Sequence, residues 1–141
     1  MVILLVPFLL ACTEAEKNDD YYMQHPLELK QAIMACQGSF VQGVKAAHCD
    51  MMMRAAVNME AIVNQQQEDP ERFGQRILHA EETLAQLKLA MIEAGKKAED
   101  SHLSPAESKR AQDDLDNAKK AYDKQYQEVK VLLAVLGMGG P

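Results

Sequence analysis

Cysteine is the residue type in this chain with the clearest chemical options, and the three cysteines are Cys12, Cys36 and Cys49. A thiol can be alkylated by lipid, oxidised to a disulfide, bound to a metal ion or used as a nucleophile, and its surroundings decide between these outcomes. Cys12 directly follows an apolar segment at the N-terminus, whereas Cys36 and Cys49 lie further along the chain with 12 residues between them. The surroundings of Cys12 therefore favour a different chemistry from that of the other two.

Cys12 has the sequence context of a lipidated cysteine. Residues 2–10 are apolar, and this stretch is too short to cross a bilayer but has the length of a secretory signal core. It ends in two leucines, and Ala11 then precedes Cys12. This order resembles a lipobox, in which small and apolar residues precede the cysteine whose thiol receives diacylglycerol. We predict a lipoprotein signal peptide at 1–11, lipidation at Cys12 and a polar tether at 12–20.

One feature of the N-terminus argues against this interpretation. No Lys or Arg precedes the apolar run, although secretory signals normally begin with basic residues. A start codon assigned too far downstream would explain this, and the alternative is an apolar segment followed by a chance cysteine. If lipid is attached, the residue after Cys12 affects sorting, because Asp at that position retains such lipoproteins in the inner membrane. Thr13 at this position therefore favours the outer membrane over the inner membrane. The predicted location is then the cell envelope, with the protein facing the periplasm.

Cys36 and Cys49 are the two cysteines that remain after the signal, and an even number in an exported protein predicts one disulfide. If a helix ran on from residue 39, Cys49 would lie about 15 Å along it. Bridged Cα atoms must lie within about 7 Å of each other. We therefore expect 38–43 to fold back as a loop and the next helix to begin near Val44 or Lys45.

Metal binding and catalysis at Cys49 are weaker interpretations. His48 precedes Cys49, and Met51, Met52 and Met53 follow, so a copper site is conceivable. Consecutive methionines point around a helix rather than toward one ion, however, and methionine commonly fills cores. A bridged Cys49 also has no free thiol. Because the chain contains no recognisable catalytic motif either, we predict no metal, no other cofactor, no catalytic residue and no enzymatic activity.

The composition predicts an all-α protein. Ala, Gln, Glu, Lys, Leu and Met dominate, and they lose little side-chain freedom in a helix. The net charge is −6, and no basic stripe interrupts it, which argues against nucleic acid as a partner. No run of 18 apolar residues is present, so an ordinary spanning helix is not predicted. Membrane contact would then occur through the lipid anchor.

Helix boundaries are indicated by prolines that follow capping residues. Pro26 suits the first turn of a helix, with Glu28 near its positive end. Asp69 and Ser104 are good N-caps, each followed by proline. A helix over 45–67 is expected to face inward with Ala47 or His48, Met51, Ala55, Met59 and Ile62.

Heptad patterns predict that the last two helices form an antiparallel hairpin over 68–137, ended by Gly137, with a flexible C-terminus at 138–141. The first seam is Ile77, Leu84, Met91 and Ala98, with Ala80, Leu87 and Ala94 between them. The second is Leu115, Tyr122, Val129 and Leu136, with Ala118, Gln125 and Leu132 between them. Because a hairpin of two helices has a thin core by itself, the helix over 45–67 or a second chain must cover it. Self-association through these helices is the alternative to a hairpin within one chain.

The apolar end of the last helix, at 129–136, is interpreted as part of the core, and a contact surface for a partner is the alternative.

The disulfide-containing helical region at 21–67, as far as Arg54, resembles the EexN-type entry-exclusion lipoproteins of conjugative plasmids and related type IV secretion loci. The resemblance lies in a lipobox, then Tyr21, then His25-Pro26 with the acidic Glu28 two residues later, then the spaced Cys36 and Cys49. It covers residues 9–54, and the long hairpin after Asp69 departs from a family whose members are mostly shorter. The resemblance implies that Tyr21, His25, Pro26 and Glu28 form a helix-entry motif.

The resemblance also implies a function without catalysis. A lipoprotein of this family is displayed by a plasmid-bearing cell and blocks redundant conjugative DNA entry by recognising a component of the incoming secretion channel. The partner would then be a protein, namely a secretion-channel subunit. Two alternatives remain at this stage, namely a structural or accessory lipoprotein of a secretion or envelope complex, and an inhibitor-like or chaperone-like binding module.

Overall fold

The fold is all-α across the part of the chain that the structure, a computed structural model, describes, which is residues 17–37 and 44–138. The helices are α1 (Asp19–Gln24), α2 (Pro26–Gln37), α3 (Val44–Glu68), α4 (Pro70–Ala98) and α5 (Pro105–Met138). This confirms the predicted class: a short helix joined by a disulfide to a second helix, followed by a long helical hairpin. The predicted signal peptide, Cys12 and the loop at 38–43 lie outside the described residues.

The helices begin where their capping residues predict. The Asp69 side chain accepts a hydrogen bond from the backbone N–H of Arg72 at 2.9 Å, with Pro70 in the first turn of α4. The Ser104 backbone N–H donates to the Glu107 carboxylate at 2.9 Å at the start of α5. These contacts satisfy N–H groups that have no partner within the helix. The boundaries of α4 and α5 are therefore set by local sequence.

Two helix ends differ from expectation. The chain is already helical at Asp19, within the segment expected to be a polar tether, because Asn18 caps α1 by accepting from the Tyr21 N–H at 3.0 Å. At the other end, the prediction that Gly137 stops the last helix is wrong, since α5 continues to Met138. Gly137 has a helical neighbourhood with open space around it. Glycine weakens a helix interior but does not end a helix by itself.

The buried core lies at one end of the hairpin, where α1 and α3 pack against it and α2 packs on α1 and α3. We call this part the base and define it as 17–37, 44–84 and 122–138. The rest of the hairpin, 85–121, is called the distal half. Among the described residues, every buried side chain belongs to the base: Tyr22, Met23, Leu29, Met52, Ala55, Met59, Phe73, Ile77, Ala80, Val129, Leu132 and Val135. The prediction that the helix over 45–67 covers the hairpin is confirmed for this end.

The residues that face the core differ in places from the expected seams. In α3, Met52 is buried and the expected Met51 packs against the core half-buried, whereas Ala47 and His48 are exposed. In α5, Leu136 is 48% exposed and Val135 is fully buried, so Leu136 does not belong to the seam. A seven-residue repeat drifts around a straight helix. Because α1 and α3 also pack on α5 here, the buried face turns toward them.

Some apolar side chains at the end of α5 are buried in the core and others are exposed to solvent. Val129, Leu132 and Val135 are buried and Val131 packs against the core, as the core interpretation predicted, whereas Leu133 and Leu136 are exposed. Among the described residues, none of the helices combines the length and the apolar character that crossing a bilayer requires.

Candidate functional site

The four residues of the helix-entry motif lie together at the junction of α1 and α2. His25 ends α1, where its backbone N–H donates to the Tyr22 carbonyl at 3.2 Å. The same residue begins α2, since its carbonyl accepts from the Leu29 N–H at 3.0 Å. Pro26 occupies the first position of α2, where the missing N–H costs nothing. The two helices therefore meet at one residue, and this sharp junction brings Tyr21 close to Glu28.

The Glu28 carboxylate is the centre of this junction. The Tyr21 hydroxyl donates to both of its oxygens, at 2.7 and 2.9 Å. The Lys17 ammonium donates to Oε2 at 2.8 Å, and its Nζ also lies 4.9 Å from the centre of the Tyr21 ring. The His25 ring stacks on the Tyr21 ring at a centroid distance of 4.3 Å, with Nδ1 3.9 Å from Glu28 Oε1. We call Lys17, Tyr21, His25 and Glu28 the junction cluster.

Glu107 occupies the same position in its helix as Glu28, and comparison of their contacts shows what is particular to Glu28. Glu107 and Glu28 each follow a capping residue and a proline by the same spacing, Ser104-Pro105 and His25-Pro26. Glu107 turns back onto its own cap and accepts from the Ser104 N–H. Glu28 cannot do the same, because the His25 N–H already donates to Tyr22. Its carboxylate instead binds side chains that precede the helix.

The charges in the junction cluster stabilise one another. Hydrogen bonds from Lys17 and then Tyr21 lower the pKa of Glu28 below its ordinary value. The same carboxylate raises the pKa of Lys17 and of the Tyr21 hydroxyl through hydrogen bonding. All of these groups face solvent, so each interaction contributes little to stability. What the cluster provides is an ordered surface with an ammonium, a carboxylate and two stacked rings.

The cluster is fixed to the rest of the protein by contacts on either side of it. Tyr22 is buried, and its hydroxyl lies 3.5 Å from Nε2 of His48 on α3. Gln24 hydrogen-bonds Gln127 on α5. At the far end of α2, Cys36 and Cys49 form a disulfide with Cα atoms 5.8 Å apart. The predicted pairing of these cysteines is confirmed, and it attaches α2 to the first turns of α3.

Sequence reasoning identified three of the four cluster residues but did not assign them contacts. It missed Lys17, whose partner Glu28 lies 11 positions away across a helix that was not predicted. The signal for that helix is Asn18 followed by two aspartates, an N-cap with acidic residues in the first turn. Within 17–37 and 44–138, no three His, Cys, Asp or Glu side chains lie close enough together to hold a metal ion.

Comparison with known proteins gives no match: no family model, no curated protein and no solved structure is significantly similar to this chain.

Proposed function

We propose that this protein is a lipid-anchored binding protein of the cell envelope that blocks redundant conjugative DNA entry by recognising a subunit of the incoming secretion channel. The junction cluster is the observation that favours this function. Three of its members, Tyr21, His25 and Glu28, belong to the motif that resembles the EexN-type lipoproteins, and they meet on an exposed surface. Such a surface presents charge and stacked rings in fixed positions, as recognition requires.

The position of the cluster in the chain also supports this proposal. Lys17 follows Cys12 by five residues, which span at most about 17 Å when fully extended. If Cys12 carries lipid, the junction cluster stays close to the membrane surface. A protein held there could contact a channel subunit that approaches the same membrane. The anchor would give the protein a high local concentration at the membrane, which would strengthen binding through a modest surface.

Lipidation is the first part of the proposal to test. Cells that express the full chain should incorporate labelled palmitate into it, and Cys12→Ser should abolish the label because this thiol is the proposed attachment site. Cys36→Ser, which leaves Cys12 intact, is the control and should keep the label. Label that persists in Cys12→Ser would exclude lipid attachment at Cys12.

Exclusion is tested by mating. Recipient cells that express the full chain should receive less of the conjugative element whose genes lie beside its own, and should receive unrelated elements at the normal frequency. Cys12→Ser should weaken exclusion while leaving the thermal unfolding of the periplasmic part unchanged. If the full chain alters transfer of no mating system encoded near its gene, the exclusion proposal fails.

A matched pair of variants tests the junction cluster itself. Glu28→Lys places a cation against Lys17 and should weaken exclusion. Glu107→Lys makes the same charge change at the same helix position, at the other end of the molecule, and should not. Thermal unfolding of both variants is measured in parallel. Equal exclusion by the two variants would show that the cluster does not recognise the channel.

A structural or accessory lipoprotein is the second candidate, because the distal half of the hairpin projects beyond the core without a buried side chain of its own. An arm of this kind could separate two parts of an envelope complex. This function predicts that shortening the arm impairs assembly of the complex, whereas charge reversal at Glu28 does not.

A further inference from the structure

The exposed side of α2 differs in charge from that of the other described helices. Its exposed residues are Leu27, Lys30, Gln31, Met34, Ala35 and Gln37. The one acid in α2, Glu28, is half-buried and accepts a hydrogen bond from Lys17. Each of the other four described helices exposes acidic side chains, for example Asp20, Asp50, Glu71 and Glu107. Because the chain carries a net charge of −6, α2 is the described helix whose surface an anionic partner repels least.

Two large apolar side chains lie along the middle of this exposed side. Leu27 is 78% exposed and Met34 is 63% exposed. They are seven residues apart, which separates them by about 20° around a helix, and Lys30 lies within about 60° of both. On the opposite side of α2, Leu29 is buried and Cys36 packs against the core. The apolar pair and Lys30 therefore point away from the core.

The exposed side of α2 begins next to the point where the described chain begins. Leu27 directly precedes Glu28, whose carboxylate accepts from the Lys17 ammonium at 2.8 Å. Cys12 precedes Lys17 by five residues, or at most about 17 Å of extended chain. Lipid on Cys12 would therefore keep the first turn of α2 close to a bilayer. The bilayer would stay within reach of Leu27 and Met34 at all times, which is why it is the occupant that this side fits.

We propose that α2 lies flat on the membrane surface, with Leu27 and Met34 between the lipid headgroups and Lys30 at a lipid phosphate. This deepens the proposed function and rests on lipid at Cys12. A lysine stem can lie along apolar neighbours while its ammonium reaches the phosphates. Two apolar side chains and one cation bind a bilayer weakly by themselves, but the anchor makes their contact intramolecular. Glu28 lies about 100° around the helix from Leu27, so the junction cluster lies at the edge of the contact and stays open to a channel subunit.

Photo-crosslinking in intact cells tests the proposal on the full chain. A photoreactive amino acid at Leu27 or Met34 should give phospholipid adducts, detected by mass spectrometry on the peptide that contains the probe. The control position is Asp20, which is exposed and closer in sequence to Cys12 but lines a cleft against α5. Its probe should give about fivefold less adduct, because it lies outside the proposed contact. Equal adducts at all three positions, or crosslinks from Leu27 and Met34 only to protein, would overturn the proposal.

Charge reversal tests the contact with lipid phosphate. With the probe at Met34, Lys30→Glu should lower the adduct yield about tenfold, because it replaces an attraction to the phosphates by a repulsion and each is worth several-fold. Lys88→Glu makes the same charge change on the exposed surface of α4 and should leave the yield unchanged. Both variants should keep the thermal unfolding of the wild type. An unchanged yield in Lys30→Glu would contradict the contact.

Palmitate labelling in the same cells separates this proposal from lipidation itself. A chain that carries the label but gives no lipid adduct from Leu27 or Met34 would contradict docking of α2 and leave the anchor in place. A chain without the label would contradict the anchor at Cys12 and, with it, the docking of α2.

Discussion

The base and the distal half of the hairpin consist of the same kind of amphipathic helix, but they bury their side chains differently. In the base, α1 and α3 pack on the hairpin, and residues such as Leu132 and Val135 are fully buried. In the distal half, α4 and α5 pack on no other described helix, and Leu87, Met91 and Leu115 stay half-buried. Two helices can enclose only a narrow line of contact, whereas a third closes the core around it.

This difference assigns the two regions separate roles. The base contains the core, the disulfide and the junction cluster, so it accounts for the fold and for the proposed recognition site. The distal half has exposed apolar residues such as Leu89 and contributes little to the core. The boundary expected at residue 68 does not separate these roles, because Phe73 and Ile77 from α4 belong to the same core as α1 and α3.

Truncation of one leucine in each region should show the largest difference. Leu132→Ala removes a fully buried side chain from the base and should lower the free energy of unfolding by about 2–5 kcal/mol. Leu115→Ala in the distal half should cost about 1 kcal/mol, since its site is already open to water. Urea denaturation measures both. Equal losses would mean that the distal half is as well packed as the base.

Removal of the disulfide should have the next largest effect. The bridge closes a loop between positions separated by 13 in the base. The chain-entropy treatment gives such a loop about 2–3 kcal/mol of stabilisation. The variant with both Cys36→Ser and Cys49→Ser should lose this amount in urea denaturation, and the reduced wild type should match it. A reduced protein as stable as the oxidised one would show that packing of α2 on α3 suffices.

Replacement of either of two glycines in α4 by alanine should have a smaller effect of opposite sign, because it should stabilise the protein. A Cβ at Gly95 would meet Leu115 Cδ1 at 3.9 Å, an ordinary contact, and a Cβ at Gly74 would meet open space. Gly95→Ala and Gly74→Ala should each stabilise the protein by about 0.5–1 kcal/mol through helix propensity. The extra contact makes Gly95→Ala the better of the two in thermal unfolding. Destabilisation by Gly95→Ala would mean that α4 and α5 approach more closely than the structure describes.

The smallest expected effect is the loss of stability in acid that arises from one glutamate in the first turn of α2 and one in the first turn of α5. The pKa values of Glu28 in the base and Glu107 in the distal half are both lowered by hydrogen bonds. A lowered folded-state pKa means that each contribution to stability is present above about pH 4.5 and is lost as the pH falls through the folded-state pKa. In NMR titrations, Lys17→Met should raise the pKa of Glu28 toward 4.5 and leave Glu107 unchanged. Ser104→Ala should leave Glu28 unchanged. A Glu28 titration unaffected by Lys17→Met would remove Lys17 from the junction cluster.

Local chemistry explains which features could be predicted from sequence. The cap at Asp69, the contact of Glu107 with Ser104, the disulfide and the pairing of the two heptad helices depend on nearby residues or on a simple repeat, and each is confirmed. The choice of Val135 over Leu136 depends on what packs against α5 from other helices. Helix α1 is six residues long, and it is stabilised by burial of Tyr22 and Met23, which no local pattern indicates. Asn18 and the two aspartates after it indicate where this helix begins, but the contact between Lys17 and Glu28 also depends on that burial.

Thermal unfolding of a shortened hairpin tests most directly whether the base alone accounts for the fold. Deletion of 85–98 and 108–121 removes two heptads from each arm, keeps the turn with its Ser104 cap and preserves the register of the remaining seam. At low protein concentration, where association contributes little, this variant should stay helical by circular dichroism. It should also unfold in one cooperative transition within about 5 °C of the full chain. Loss of the cooperative transition would contradict the account and show that the distal half is required for folding.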